Sequence, residues 1–215
     1  GYGLTLGPVN KVTPEGLPVL FIRDLPLRST VDLEVKQPGI YFGELSSDHV
    51  FVKTRTEEFD YPVGDSNQFG EYQGKGGVDV GGLFRRALFA IRFASPDTLF
   101  SPNLVRDSRV LMYRRIAERV NRIAPFLTYD PDPYLSITDG RLVWVQDAYT
   151  TSRRYPYSTP SARGINYIRN SVKVTVDAYD GNIAFHLLDT KDPIAATLAK
   201  MFPELFKPLS AMPEG

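Results

Sequence analysis

The sequence has no cysteine and only two histidines, His49 and His186. Without thiols there is no disulfide framework, no thiolate metal site and no cysteine nucleophile. Two imidazoles also exclude a three-histidine metal centre, and with it most zinc chemistry. No stretch approaches the roughly 20 apolar residues that a helix needs to cross a bilayer. Excess charge is lacking too: 25 Lys and Arg balance 25 Asp and Glu. With no net positive charge and no recognised binding motif, nucleic acid is not an expected partner.

What is present is ordinary for a folded chain. Of 215 residues, 42% are hydrophobic and 23% charged, too apolar for disorder. That length fits one domain, with a sub-division into 1–78 and 79–215 as the alternative. The chain opens on Gly1-Tyr2-Gly3, without methionine or a signal-peptide pattern, and reads as a piece of a longer polypeptide. Charge is unevenly spread. Residues 80–125 carry nine arginines against three acids, while the flanking segments are net acidic.

Pro8, Pro14, Pro18 and Pro26 break the first 35 residues into an extended Pro- and Gly-rich arm. Two strands are expected at Gly39–Leu45 and His49–Thr54, around Ser46-Ser47-Asp48. Residues 55–78 hold Pro62, Gly64, Gly70, Gly74, Gly76 and Gly77, which predicts a long loop. A helix is predicted from Gly82 to Phe93. Its Leu83/Ala87/Ala90 and Phe84/Leu88/Ile91 stripes leave little polar surface, so most of it should be buried. A second helix is predicted from Asp107 to Ala124, with Asp107 or Ser108 as cap and Arg114, Arg115, Arg119 and Arg122 on a solvated stripe. Pro193 to Phe202 reads as a last short helix.

Two Asp-Gly pairs predict two hairpins. Asp139-Gly140 places Ile137 opposite Leu142, and Asp180-Gly181 places Val176 opposite Phe185. Asp130, Asp132 and Asp139 read as turn formers rather than calcium ligands. Together these patterns predict an α+β fold: antiparallel β-hairpins packed on two or three helices, behind the extended N-terminal arm.

Several motifs, in order along the whole chain, resemble one family. They include Ile40-Tyr41-Phe42-Gly43-Glu44, Glu58-Phe59-Asp60-Tyr61-Pro62, Gly74-Lys75-Gly76-Gly77-Val78 and Arg85-Arg86-Ala87-Leu88-Phe89-Ala90. Further on stand Ile123-Ala124-Pro125-Phe126-Leu127, Gln146-Asp147-Ala148-Tyr149-Thr150-Thr151-Ser152 and the stretch from Gly164 to Lys173. The chain resembles part of the extracytoplasmic region of an uncharacterised bacterial multi-pass integral membrane protein family, a UPF group. The resemblance implies a place on the outer side of the cell membrane, attached to the transmembrane portion of the same protein. It implies no reaction, no cofactor and no catalytic residues. The Val172–Leu188 hairpin also resembles that of PepSY-type extracytoplasmic modules.

Two candidate sites remain. Tyrosine offers rigid contact area with a polar tip. Tyr61 and Tyr72 in the glycine loop, with Tyr149, Tyr155, Tyr157 and Tyr167 around 150–168, form the candidate surface for a peptide, an envelope polymer or an envelope protein. Lys75 in the Gly74-Lys75-Gly76-Gly77 loop, with Arg85 and Arg86, forms a candidate anion site. The nucleotide-loop spacing is missing. The expected role is therefore binding rather than catalysis. The alternative is an envelope-acting hydrolase using carboxylates such as Asp60 and Asp147.

Overall fold

A computed structural model describes residues 1–46 and 48–213; of the expected Ser46-Ser47-Asp48 turn, Ser47 lies outside the described residues. The fold is α+β, and the chain divides into two compact units. The first comprises residues 1–41 and 48–112, the second residues 42–47 and 113–215.

In the first unit, the arm holds a minimal ladder, β1 (Ile22–Arg23) against β2 (Arg28–Ser29). A three-stranded sheet follows, in which β7 (Arg109–Leu111) lies between β3 (Val50–Val52) and β6 (Val78–Asp79). Residues 55–78 are not the expected loop. They contain the hairpin β4 (Glu58–Val63) and β5 (Ser66–Gly70), turned at Gly64-Asp65, where Gly64 has φ 57°. Polar strand residues and flanking glycines hide its alternation. The expected strand at Gly39–Leu45 is absent: it forms only single bridges, from Gly39 to Tyr2 and from Gly43 to Arg115.

Two helices complete this unit, α1 (Leu83–Arg92) and the single turn α2 (Asp97–Phe100). The expectation that α1 is mostly buried is wrong: none of its residues is buried. The Arg86 guanidinium donates to the carbonyls of Val80 and Leu104, at 3.2 and 2.6 Å. Gly81 lets the chain pass tightly against the Arg106 carbonyl, where a Cβ has no room. Held this way, α1 turns Phe89 toward the small core of Val80, Leu104 and Val110. Phe84 and Ile91 point outward, 76% and 79% exposed. Phe84→Ser and Ile91→Ser should each change the unfolding free energy of the chain by less than about 0.5 kcal/mol, whereas Phe89→Ala should cost at least about 2 kcal/mol. Chemical denaturation of the three variants checks this.

The Asp107–Ala124 helix is also corrected. Helical spacing is overridden by strand pairing at Arg109–Leu111, where Val110 and Leu111 are both fully buried. The Arg109 side chain fastens that strand, donating to the carbonyls of Gly76 and Gly77 at 2.7 Å each. Ser108 caps no helix; its hydroxyl donates to the Lys53 carbonyl and accepts from the Val105 N–H. Tyr113, at φ 52°, breaks the backbone.

The second unit begins its regular structure at α3 (Ile116–Ile123), preceded by extended Arg115. Then come β8 (Thr128–Tyr129), β9 (Tyr134–Thr138), β10 (Arg141–Ser152), β11 (Tyr167–Asp177), β12 (Ile183–Leu187), α4 (Pro193–Met201) and β13 (Phe206–Pro208). The sheet order is β13-β12-β11-β10-β8, with β9 also paired to β10. All pairings are antiparallel except β12–β13. Val172, Val174, Val176 and Phe185 form the core face.

The first hairpin has the expected register, Ile137 opposite Leu142. Asp139 and Gly140 both have positive φ, 52° and 79°, as a tight hairpin turn requires. The second hairpin is shifted by two residues: Val176 faces Ile183, and Phe185 faces Val174. The cause is Asp177. Its Oδ1 accepts from the N–H groups of Tyr179 and Asp180, at 2.9 and 2.7 Å, which widens the turn. A shift of two keeps every side chain on its expected face.

Of the arginine stripe, Arg115 and Arg122 are exposed as expected, while Arg119 is half-buried in specific bonds. Arg119 Nε donates to the Gly181 carbonyl at 2.9 Å, and its guanidinium lies 4.4 Å from the Phe42 ring centroid. Arg122 pairs with Glu118 at 3.1 Å and covers the Tyr113 ring. Trp144 Nε1 donates to the Phe42 carbonyl at 3.0 Å. Phe42 is thus held inside the second unit, its ring against Gly181.

Candidate functional site

The six tyrosines do not act alike. Tyr72 is fully buried: its hydroxyl accepts from the Gly76 N–H at 2.9 Å and its ring meets Tyr41 edge-on. It is a core residue and cannot touch a ligand. Tyr61 packs on Tyr2, with centroids 4.6 Å apart.

The other four belong to the second unit. The Tyr149 hydroxyl donates to Asp130 at 2.9 Å. The Tyr167 hydroxyl donates to Asp192 at 2.5 Å, and its ring stacks on Tyr155 at 4.4 Å. Tyr157 is the one of the six fully open to solvent, at φ 57°. Of this set, Tyr155 and Tyr157 therefore offer accessible rings.

Two of the anion trio are likewise committed. Arg86 serves two carbonyls, and Arg85 pairs with Asp79 at 2.7 Å. Gly77, at φ 78°, sits where a Cβ would lie 2.6 Å from the Val110 carbonyl oxygen. Close packing accounts for this glycine. Lys75 is exposed.

Three carboxylates of the second unit are tied up as well. Asp147 accepts from Lys173 Nζ at 2.7 Å, and Arg141 bridges Asp177 and Asp180. In the first unit, burial raises the Asp60 carboxyl above its ordinary value. Among the described residues, no three acids or histidines cluster as a metal site would need.

One open concave feature of the first unit was not legible as a site. It is a cavity of about 660 Å³ between β3 and the α2 region. His49, Phe51 and Phe100 supply its aromatic lining; Thr56, Ser95, Thr98 and Asn103 supply hydroxyls and an amide. The His49 ring stacks on Phe93 at 3.6 Å, nearly parallel. Burial lowers the His49 pKa, outweighing nearby Asp48, so the imidazole is neutral at pH 7. Phe100 is 78% exposed at the cavity. The polar stretch Ser95-Pro96-Asp97-Thr98-Leu99-Phe100-Ser101-Pro102-Asn103 passes for a connector in sequence. Its signal was an aromatic ring set among hydroxyl and amide residues, with prolines fixing the backbone on either side.

Compared with known proteins, all residues from 1 to 215 match the uncharacterised protein family UPF0182. The chain belongs to that family. It is 50% identical to a UPF0182 protein of Pelotomaculum thermopropionicum over 214 residues, covering 100% of this chain and 23% of that protein. A UPF0182 protein of Desulforamulus reducens is 50% identical over 216 residues, with 100% and 23% covered. One from a Sulfurovum species is 48% identical over 219 residues, with 99% and 24% covered. The chain thus spans about a quarter of the length of these UPF0182 relatives. No solved structure matches it. No helix among the described residues of this UPF0182 chain is long and apolar enough to cross a membrane.

Proposed function

We propose that this chain is a ligand-binding, non-catalytic part of the extracytoplasmic region of a multi-pass cell-membrane protein, joined to the transmembrane portion of the same polypeptide. One observation carries the binding role: the cavity of the first unit, where aromatic faces stand beside polar groups with no partner of their own. The side chains of Thr56, Ser95, Asp97 and Asn103 make no hydrogen bond or ion pair among the described residues. Pockets built to bind combine apolar walls with a few such groups. The family resemblance supports the placement.

Placement is testable because the chain has no cysteine. In intact cells, Tyr157→Cys in the full-length protein should react with a membrane-impermeant maleimide. Unmodified protein should show no labelling at this position. Labelling only after permeabilisation would put the chain on the inner side and overturn the proposal.

A further inference from the structure

We propose that the cavity beside α2 binds a neutral saccharide, with Phe100 as its stacking platform. This rests on the binding role assigned to that cavity and adds the chemical class of the ligand. A pyranose presents an apolar C–H face and a rim of hydroxyls that both donate and accept. Phe100 presents a largely bare ring, 78% exposed, and makes no ring stack among the described residues. Such a ring gains most when an apolar face covers it.

The polar groups match the rim. Serine and threonine hydroxyls donate and accept, and the Asn103 amide does both from one group. The Asp97 carboxylate accepts from two neighbouring hydroxyls at once. Thr98 is nearly buried behind them, 5% exposed. No lysine or arginine lines the cavity among the described residues. A site for phosphate, sulfate or a uronic acid would need such a cation. His49 supplies none, since burial keeps it neutral. One carboxylate without a second acid does not make a cation site.

The test uses full-length protein in detergent and immobilised cellohexaose, maltohexaose and fully N-acetylated chitohexaose. Control probes are an inositol phosphate, a neutral hexapeptide and a fluorescent apolar dye. The expected result is binding to at least one oligosaccharide. Phe100→Ala and Asn103→Ala should each weaken it at least tenfold, with Tm unchanged. Binding of the dye or peptide alone, lost in Phe100→Ala, would overturn the saccharide assignment and keep the cavity as a binding site. No binding of any probe, or binding indifferent to both substitutions, would overturn both.

Discussion

Asp192→Ala should destabilise the chain by about 3–5 kcal/mol, among the largest effects of any single substitution here. Asp192 is fully buried just ahead of α4, whose first turn it caps through the Ile194 N–H at 3.0 Å. Its carboxylate also accepts from the hydroxyls of Thr150, Ser171 (2.6 Å) and Tyr167 (2.5 Å). One side chain therefore fastens β10, β11 and α4 together. Truncation leaves several buried donors without an acceptor, and each costs more unmade than it contributes when made. Lost capping alone accounts for about 1 kcal/mol.

The same carboxyl sets an acid limit. Burial pushes its pKa up, but the hydrogen bonds from Ser171, Thr150, Tyr167 and Ile194 outweigh that and hold it below the ordinary carboxylate value. A group held low in the folded state stabilises above its unfolded pKa. That contribution is lost as pH falls through the folded value. Unfolding free energy should thus fall below about pH 4, and the Asp192→Asn protein should lose this part of the dependence. Urea titrations from pH 3 to 7 measure both.

Gly181→Ala should cost about 2–4 kcal/mol. The position has φ 72°, and a Cβ there would lie 2.5–2.7 Å from the Phe42 ring. The backbone penalty is about 1 kcal/mol, and displacing a fully buried ring adds the rest. Moving this turn also disturbs the Arg119 bond to the Gly181 carbonyl. Gly164→Ala isolates the backbone part. It shares the left-handed conformation, at φ 75°, with nothing within 4 Å of its Cβ. Its cost should stay near 1 kcal/mol. Equal losses at the two positions would remove the role given to Phe42.

These residues also show what a sequence can and cannot carry. Asp139-Gly140 specified its turn locally, so register and the apolar face of Leu142 were legible. Asp180-Gly181 marked a turn correctly, but Asp177 reaches across it to cap two backbone amides, and pair spacing cannot express that. Val110 and Leu111 carry helical spacing, yet strands far away in the chain claim them; tertiary pairing beats periodicity. α1 reads as buried because it is apolar. Only its anchors, Arg86 and Phe89, show which side faces in. Tyr72 looked like a contact residue and is core for the same reason: composition does not give direction.

The candidate site was hidden differently. Phe100 and Asn103 sit in a connector, and their meeting with His49 and Phe51 depends on folding over about fifty residues. No local pattern announces it. Tyr157, by contrast, was legible as exposed because its loop is polar and turn-rich.

One measurement tests the proposed binding role most directly: a structure of the full-length polypeptide that carries this chain. The cavity beside Phe100 should be free of polypeptide, open to solvent or holding a ligand. A polypeptide segment from outside residues 1–215 packed into that cavity, covering Phe100 and bonding Asn103, would contradict it.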